Sequence, residues 1–558
     1  MKSPRGAELH SGAPRRWQRV LDVGAARSLA LCAAPRARPW AARGASGPPA
    51  ERRSGSFLGV AGHLLAIDQG TTGTTALVMA LDGATLGRKN CEFPQHFPEP
   101  GWVEHEPEQI WQSVLEAVAG ALSAARVRPS DIASIGITNQ RETTLLWHRK
   151  SGKPVQRAIV WQDRRTAERC AELKAQGHEP RVRELSGLVL DPYFSGTKLG
   201  WMLEHVPGAR VAAEAGELAF GTVDSYLVWR LAGGPAENAP HVTDVTNASR
   251  TLLMDLAELR WSEELCSLLS VPKKVLPEIV PSAARVAVTR GVPGLPDGIP
   301  ITGIAGDQHA ALFGQACFTA GDAKCTYGTG AFLLVNTGHV PTPSRFGLLS
   351  TLAWQIESEV VYALEGSCFI AGAAVQWLRD GLGIIASAAE IEALARSVPS
   401  SEGVAFVPAL SGLGAPYWDP GARGLITGIT RGTTRAHLAR ATLEAIAFQV
   451  NDVTVAMSED LGRPIARLRV DGGAAANDLL LQLQSDLGAL TVERPTELES
   501  TARGAAMLAG LGAGLFSSPE DAARMIRLDR SFSPELDPAT RSAELGRWSD
   551  AVCRARSH

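Results

Sequence analysis

Three side chains in this sequence have types and positions suited to handling a hydroxyl group. Asp307 stands between Gly306 and Gln308, at the end of the apolar stretch 301–305. A carboxylate there can accept the proton of an attacking hydroxyl, or it can cap the N-terminus of a following helix. Arg141 and Glu142 are adjacent in the polar run GITNQRETT (136–144) at the end of a second apolar stretch. Arg only donates hydrogen bonds and ionised Glu only accepts them, so together they can clamp a polyol. A solvated turn is the alternative. Trp161 follows the apolar Ala158-Ile159-Val160. It can cover the C–H face of a small polyol or serve as a core aromatic.

A second set of residues suits phosphate. In Asp68-Gln69-Gly70-Thr71-Thr72-Gly73 the glycines let the backbone approach an anion closely, and the hydroxyls and N–H groups of Thr71 and Thr72 can donate to it. Asp68, ending the strand, can hold Mg²⁺ through water, because that ion keeps much of its hydration. Gly328-Thr329-Gly330 and Gly472-Gly473-Ala474 through Asn477 are further turns of this kind. The last lies between a strand and a helix, whose N-terminus attracts an anion or a ribose–adenine edge. Each turn alone can be an ordinary tight turn. The sequence holds no G-x-x-x-x-G-K-[ST] loop and no G-x-G-x-x-G opening a helix after a strand, so the two common nucleotide folds are disfavoured.

The elements that position these turns are short strands and periodic helices. Residues 64–68 and 74–81 read as strands flanking the first turn; 323–327 and 332–335 repeat that arrangement around the second. Pro107 opens a helix with Trp111, Leu115, Val118 and Leu122 on one face. Residues 132–138 and 468–471 read as strands, and 477–487 as a helix. The alternation indicates an α/β protein with at least two mixed-sheet domains, divided near Gly314 into 62–314 and 315–558. Ligands in such folds favour crevices at strand ends.

Composition narrows the function classes. The net charge of −3 lacks the basic footprint of a nucleic-acid binder. No apolar run reaches the roughly 20 residues that span a bilayer, so no stable membrane insertion is expected. Eight scattered cysteines without a C-x-x-C pair argue against a disulfide framework or zinc site and for a reducing compartment. Residues 1–60 differ: eleven Lys/Arg against three Asp/Glu give +8 and leave −11 for the rest. Rich in Ala, Gly, Pro and Ser, residues 1–61 read as a disordered basic extension. A mis-assigned upstream start in a GC-rich genome explains it, with a cytoplasmic protein as the consequence; a mitochondrial transit peptide is the rival explanation.

From about 64 to 548 the chain resembles the FGGY carbohydrate kinases, in their glycerol-phosphorylating branch. The resemblance rests on 68–72 together with GWVEHEP (101–107), GITNQRETT (136–144), DPYFSGTK (191–198), GIAGDQ (303–308), TYGTG (326–330), GLGAPYWDP (412–420) and RVDGGAAAN (469–477). It implies two actin-like (ribonuclease H-like) ATPase domains with a catalytic cleft between them. It also implies the reaction ATP + glycerol → ADP + sn-glycerol 3-phosphate with Mg²⁺, and a homodimer or homotetramer. By matching position, Arg141, Glu142, Trp161, Tyr193, Asp307, Gln308 and Phe332 form the glycerol site, with Asp307 as base. Thr71, Thr72, Gly73, Gly328, Thr329, Gly372, Gln376, Gly473 and Asn477 form the nucleotide site. Two departures stand out. The family's first phosphate turn commonly continues through two serines to an arginine; here Gly73-Thr74-Thr75 brings no charge. The loop that in some members binds a sugar bisphosphate inhibitor reads Gly294-Leu295-Pro296-Asp297-Gly298, with no arginine, so insensitivity to fructose 1,6-bisphosphate is expected. A pentulose or gluconate kinase of the same family is the nearest rival. A catalytically silent actin-like protein is a more distant one.

Overall fold

The computed structural model describes residues 62–557; the basic extension 1–61 lies outside them. A 13-stranded sheet runs through the described chain. Its strands in chain order are β1 His63–Gln69, β2 Gly73–Met79, β3 Thr85–Glu92, β4 Ile132–Asn139, β5 Ala283–Val288, β6 Pro300–Gly306, β7 Ala323–Tyr327, β8 Ala331–Gly338, β9 Leu349–Ile356, β10 Glu359–Cys368, β11 Arg467–Asp471, β12 Thr491–Pro495 and β13 Leu528–Phe532. The spatial order is β13-β12-β11-β7-β8-β10-β9-β5-β6-β4-β1-β2-β3.

That order contains one motif twice. β1 and β2 are an antiparallel hairpin extended by β3, and β1 pairs in parallel with β4, which pairs in parallel with β6. β7, β8 and β10 repeat the antiparallel part, and β11 and β12 the parallel part. The strands up to residue 306 and those from 323 onward meet at one parallel pair, Ala283 opposite Ile356. The turns read from sequence as phosphate-binding are therefore the β1–β2 and β7–β8 hairpin tips and the end of β11.

Helix α1, Pro107–Ala125, begins at the expected proline and buries Ile110, Trp111, Val114, Ala117, Val118, Ala121 and Leu122. Leu115, placed on that face from sequence, lies at its margin. The stripe runs through Val114, three residues after Trp111 and four before Val118, and Ala117, three after Val114 and four before Ala121. Further helices used below are α2 Asp307–Gly314, α3 Gly372–Asp380, α4 Arg435–Leu461, α5 Asp478–Gly488, α6 Ser500–Gly512 and α7 Pro538–Ala555.

α2 and α6 follow β6 and β12 and cross where both carry glycine. A Cβ at Gly504 would lie 1.8 Å from the carbonyl oxygen of Ala310, and one at Gly314 would lie 2.1 Å from that of Ser500. Backbone thus meets backbone, which no larger residue permits. α6 also rests on the sheet through the small residues Ala502, Ala505, Ala506 and Ala509, all fully buried. Among the described residues, no helix is long and apolar enough to cross a membrane.

Candidate active site

Asp307 is the first residue of α2, directly after β6; the cap position belongs to Gly306, so the helix-cap reading of Asp307 does not describe its place. Its Oδ1 accepts from the Gln308 N–H at 2.6 Å and lies 2.9 Å from Arg141 Nε. Both contacts fall on one oxygen, and the side chain keeps 31% of its surface exposed. Burial pushes the carboxyl above its usual range, against Arg141, the Gln308 N–H and Lys324, which favour the ionised form.

Arg141 and Glu142 follow β4. Gly306 makes room for the arginine stem, since a Cβ there would lie 2.7 Å from Arg141 Cγ and Cδ. The solvated-turn reading of this pair fails: both side chains are buried. Arg141 engages Glu365 through Nη1 to Oε2 and through Nη2 to Oε1 at 3.2 Å. Glu142 sits at φ 62°, a left-handed conformation that costs a non-glycine residue about 1–3 kcal/mol. Its Oε1 accepts from Arg250 Nε at 2.7 Å, and Arg250 Nη2 reaches Glu365 Oε1 at 3.0 Å. Lys324 Nζ donates to Gln308 Oε1, to Thr326 Oγ1 at 2.9 Å and to the Phe332 carbonyl at 3.3 Å. Arg141 and Arg250 thus hold Asp307, Glu142 and Glu365 in ion pairs, and Lys324 adds positive charge that acts on Asp307 and Glu365.

The environment sets each charge. Burial raises Glu142 above the usual carboxylate range, opposed by Arg141 and Arg250. Burial acts on Glu365 too, but the two arginines outweigh it and hold that group below its ordinary value. His309, on α2, is pushed well down by burial and then by Arg141, Arg250 and Lys324, which keeps it neutral.

Two aromatics border the cluster. The Trp161 and Tyr193 rings meet edge to face with centroids 5.6 Å apart. Trp161 Nε1 donates to Thr71 Oγ1 at 2.9 Å, which ties the acceptor side to the first phosphate turn. Phe332, on β8, is half-buried.

The three glycine turns lie at the β1–β2 tip, the β7–β8 tip and the end of β11. Gly70 N–H to the Gly73 carbonyl at 2.9 Å closes the first, leaving Thr72 exposed. Gly328 N–H to the Gly330 carbonyl at 2.9 Å closes the second. α3 is seated on that turn: Ala371 and Ala373 N–H bond the Thr329 carbonyl, and Gly372 N–H bonds that of Gly328 at 3.0 Å. Gly372 therefore sets the position of α3, on which Gln376 stands exposed. In the third turn Gly473 is exposed with nothing within 4 Å of where a Cβ would stand. Asn477 caps α5 through Oδ1 to Leu480 N–H at 2.9 Å. The expected anion at this helix N-terminus is the chain's own Glu392, which accepts from Asp478 and Leu479 N–H at 3.2 and 3.3 Å.

Asp68 suits a divalent cation. Its carboxylate has no hydrogen bond or ion pair among the described residues. Burial, then Glu499 and Asp307, push it well above the usual range, against Arg88. Unrelieved negative charge beside a phosphate turn is what a cation would compensate. The described residues contain no cluster of three His, Cys, Asp or Glu able to hold a metal, so phosphate oxygens and water would supply most ligands. Thr75, the uncharged position, pairs with Asn90 Nδ2 at 2.9 Å. Arg88, on β3, stands opposite Leu77 and forms an ion pair with Glu499.

The family models of the FGGY family of carbohydrate kinases match this chain, the N-terminal domain at residues 63–314 and the C-terminal domain at 323–513. The glycerol kinase of Myxococcus xanthus is 57% identical over 495 residues, 88% of this chain and 99% of that protein. The chain belongs to the FGGY family of carbohydrate kinases. The glycerol kinase of Alkalilimnicola ehrlichii is 55% identical over 88% of this chain and 98% of its own length. Among solved structures, Plasmodium falciparum glycerol kinase with ADP superposes with a TM-score of 0.83 at 35% identity, covering 88% of this chain and 98% of that one. A xylulose kinase from Lactobacillus acidophilus reaches 0.77 at 21%, over 88% and 97%, a likeness of fold. As an FGGY kinase the chain has the two-domain fold of that family, and the charge cluster joins its two matched segments. Arg141, Glu142, Arg250 and Asp307 come from the first, Lys324 and Glu365 from the second.

Arg250, Lys324 and Glu365 were not singled out in the sequence. Glu365 and Lys324 carried a signal, since each is a charge inside an apolar strand and buried charges are seldom unpaired. Arg250, in Asn247-Ala248-Ser249-Arg250, carried none.

Proposed function

We infer that this chain transfers the γ-phosphoryl group of ATP to glycerol, giving ADP and sn-glycerol 3-phosphate. The observation that carries the reading is the ion-pair network in which buried Arg141 and Arg250 hold Glu142, Glu365 and the partly exposed Asp307, with Lys324 close by. Such a cluster suits a neutral, hydroxyl-rich acceptor. The glycerol kinase names carried by relatives at 53–57% identity support the same acceptor.

In this reading Arg141 donates to acceptor oxygens while Glu142 accepts from their hydroxyls. Trp161 and Tyr193 exclude water, and Gln308 and Phe332 line the pocket. Asp307 takes the proton of the attacking hydroxyl through Oδ2, which has no hydrogen bond to the described residues. Thr71, Thr72, Gly73, Gly328, Thr329, Gly372, Gln376, Gly473 and Asn477 hold the nucleotide. Mg²⁺, held near Asp68 through water, neutralises phosphate charge. Phosphoryl transfer has a loose transition state, so positioning and charge stabilisation carry the catalysis. We place the domain division near Gly314, the protein in the cytoplasm and its working form as a homo-oligomer.

A sugar acid is the less suitable acceptor, because its carboxylate would add unpaired negative charge beside Glu142, Glu365 and Asp307, whose arginine partners are already engaged. Incubating purified protein with Mg-ATP and glycerol, and identifying the product by phosphorus NMR, tests the assignment. Glycerol 3-phosphate formed one for one with ADP supports it; ADP without a phosphorylated polyol contradicts it.

A further inference from the structure

Arg250 and Glu365 belong to the charge cluster, yet the reaction as described gives neither a task. Glu365 lies on β10, within the second matched segment, with a side chain 2% exposed. Among the described residues, its side-chain hydrogen bonds all go to the first segment. Oε2 takes Arg141 Nη1; Oε1 takes Arg141 Nη2 at 3.2 Å and Arg250 Nη2 at 3.0 Å. Arg250, whose side chain is 0% exposed, continues the chain to Glu142 Oε1 at 2.7 Å. Its guanidinium also lies 5.7 Å from the Tyr193 ring centroid and 5.2 Å from that of Phe194.

The result is a relay, Arg141 to Glu365 to Arg250 to Glu142, in which the ends are the two candidate acceptor-reading residues. The geometry leaves specific capacity at those ends. Each Nη of Arg141 gives one hydrogen to Glu365 and keeps one, and Glu142 Oε2 has no partner among the described residues. Buried ion pairs seldom add net stability, since desolvation offsets their attraction, but removing one partner leaves the other charge uncompensated. A relay of this kind is therefore poorly explained as a stabilising device, and well explained as a means of fixing orientation.

We propose that Glu365 is a positioning residue of the acceptor site. Supplied from the nucleotide-side segment, it holds Arg141 directly and Glu142 through Arg250, so that their free donor and acceptor positions meet neighbouring hydroxyls of the polyol. It thereby makes acceptor recognition depend on the two segments being together. The proposal rests on Arg141 and Glu142 being the acceptor-reading pair.

Glu365→Gln keeps the shape and removes the charge. The expected result is a glycerol KM raised about tenfold or more and an ATP KM within about twofold of the parent, with a lower melting temperature because Arg141 and Arg250 lose their shared counter-charge. In the double variant with Arg250→Lys, the rise in glycerol KM should fall well short of the product of the two single effects, because both act through one relay. A parental glycerol KM in Glu365→Gln overturns the proposal, as does an equal rise in both KM values or full multiplication in the double variant. If Glu365→Gln does not fold, Glu365→Asp carries the test, since it withdraws the carboxylate by one methylene and keeps the charge. It should raise the glycerol KM selectively, and an unchanged glycerol KM overturns the proposal. Parent enzyme that turns over glycerol normally beside an unaffected Glu365 variant sinks the proposal alone. Parent enzyme that ignores glycerol withdraws the functional reading and this proposal with it.

Discussion

At the scale of single residues, Asp307 and the pair Arg141–Glu142 should separate in kinetics. Asp307 meets Arg141 and the Gln308 N–H on one oxygen, so Asp307→Asn preserves much of the local bonding while abolishing the base. Its kcat should fall by about 10²–10⁴ with ATP KM little changed, as measured by steady-state ADP release. Near-parental turnover would remove Asp307 from the mechanism. Glu142→Gln should instead act on the acceptor, raising glycerol KM by about five- to a hundredfold over any change in ATP KM. Equal effects on both constants contradict that role. The legibility of these positions followed from chain proximity. Arg141 and Glu142 are neighbours, and Asp307 ends a recognisable strand. Glu365 and Arg250 are 115 residues apart, and only folding brings them together.

At the scale of elements, the α2–α6 crossing should tolerate no side chain at Gly504. Gly504→Ala would push a methyl into the Ala310 carbonyl and should destabilise by about 1–3 kcal/mol in denaturant unfolding. A second prediction concerns the helix Val223–Leu231 and the strand Val242–Asp244. Asp224 on the helix is fully buried and accepts from Thr222 and Thr243 hydroxyls. Burial, and then Asp244, push its carboxyl up to about 7. The folded state therefore holds this proton more tightly than the unfolded chain. The associated stability is full below the ordinary value of 3.8 and is lost as pH rises through about 7. Relative to Asp224→Asn, the parent should lose melting temperature between pH 5 and pH 8; parallel curves would contradict the shift. The strands and helices around the turns were legible because short apolar runs end in glycine, and because Pro107 marks a helix start. The boundaries moved by up to three residues, and Leu115 fell at the edge of its face, because tertiary contact and not periodicity decides the margins. The role of the α5 N-terminus was not legible, since its anion, Glu392, lies 86 residues away in the chain.

At the scale of the whole molecule, the repeated strand motif places matching hairpin turns on both sides of the charge cluster. Ion pairs from Glu365 to Arg141 and Arg250 tie the two matched segments at the charge cluster. On the proposed reading acceptor recognition and nucleotide binding would be linked mechanically, and domain closure would keep water from taking the phosphoryl group. The duplication was legible as two strand–turn–strand signatures, whereas the single sheet joining them was not. Its junction rests on the pairing of Ala283 with Ile356, for which local sequence offers no cue. The most direct test of the account is a coupled ADP-release assay of purified protein with Mg-ATP and glycerol, xylulose or gluconate in turn. The account predicts glycerol-dependent release with a kcat/KM far above that for either rival acceptor. ADP release that is independent of glycerol, or faster with the ketose or the sugar acid, would contradict it.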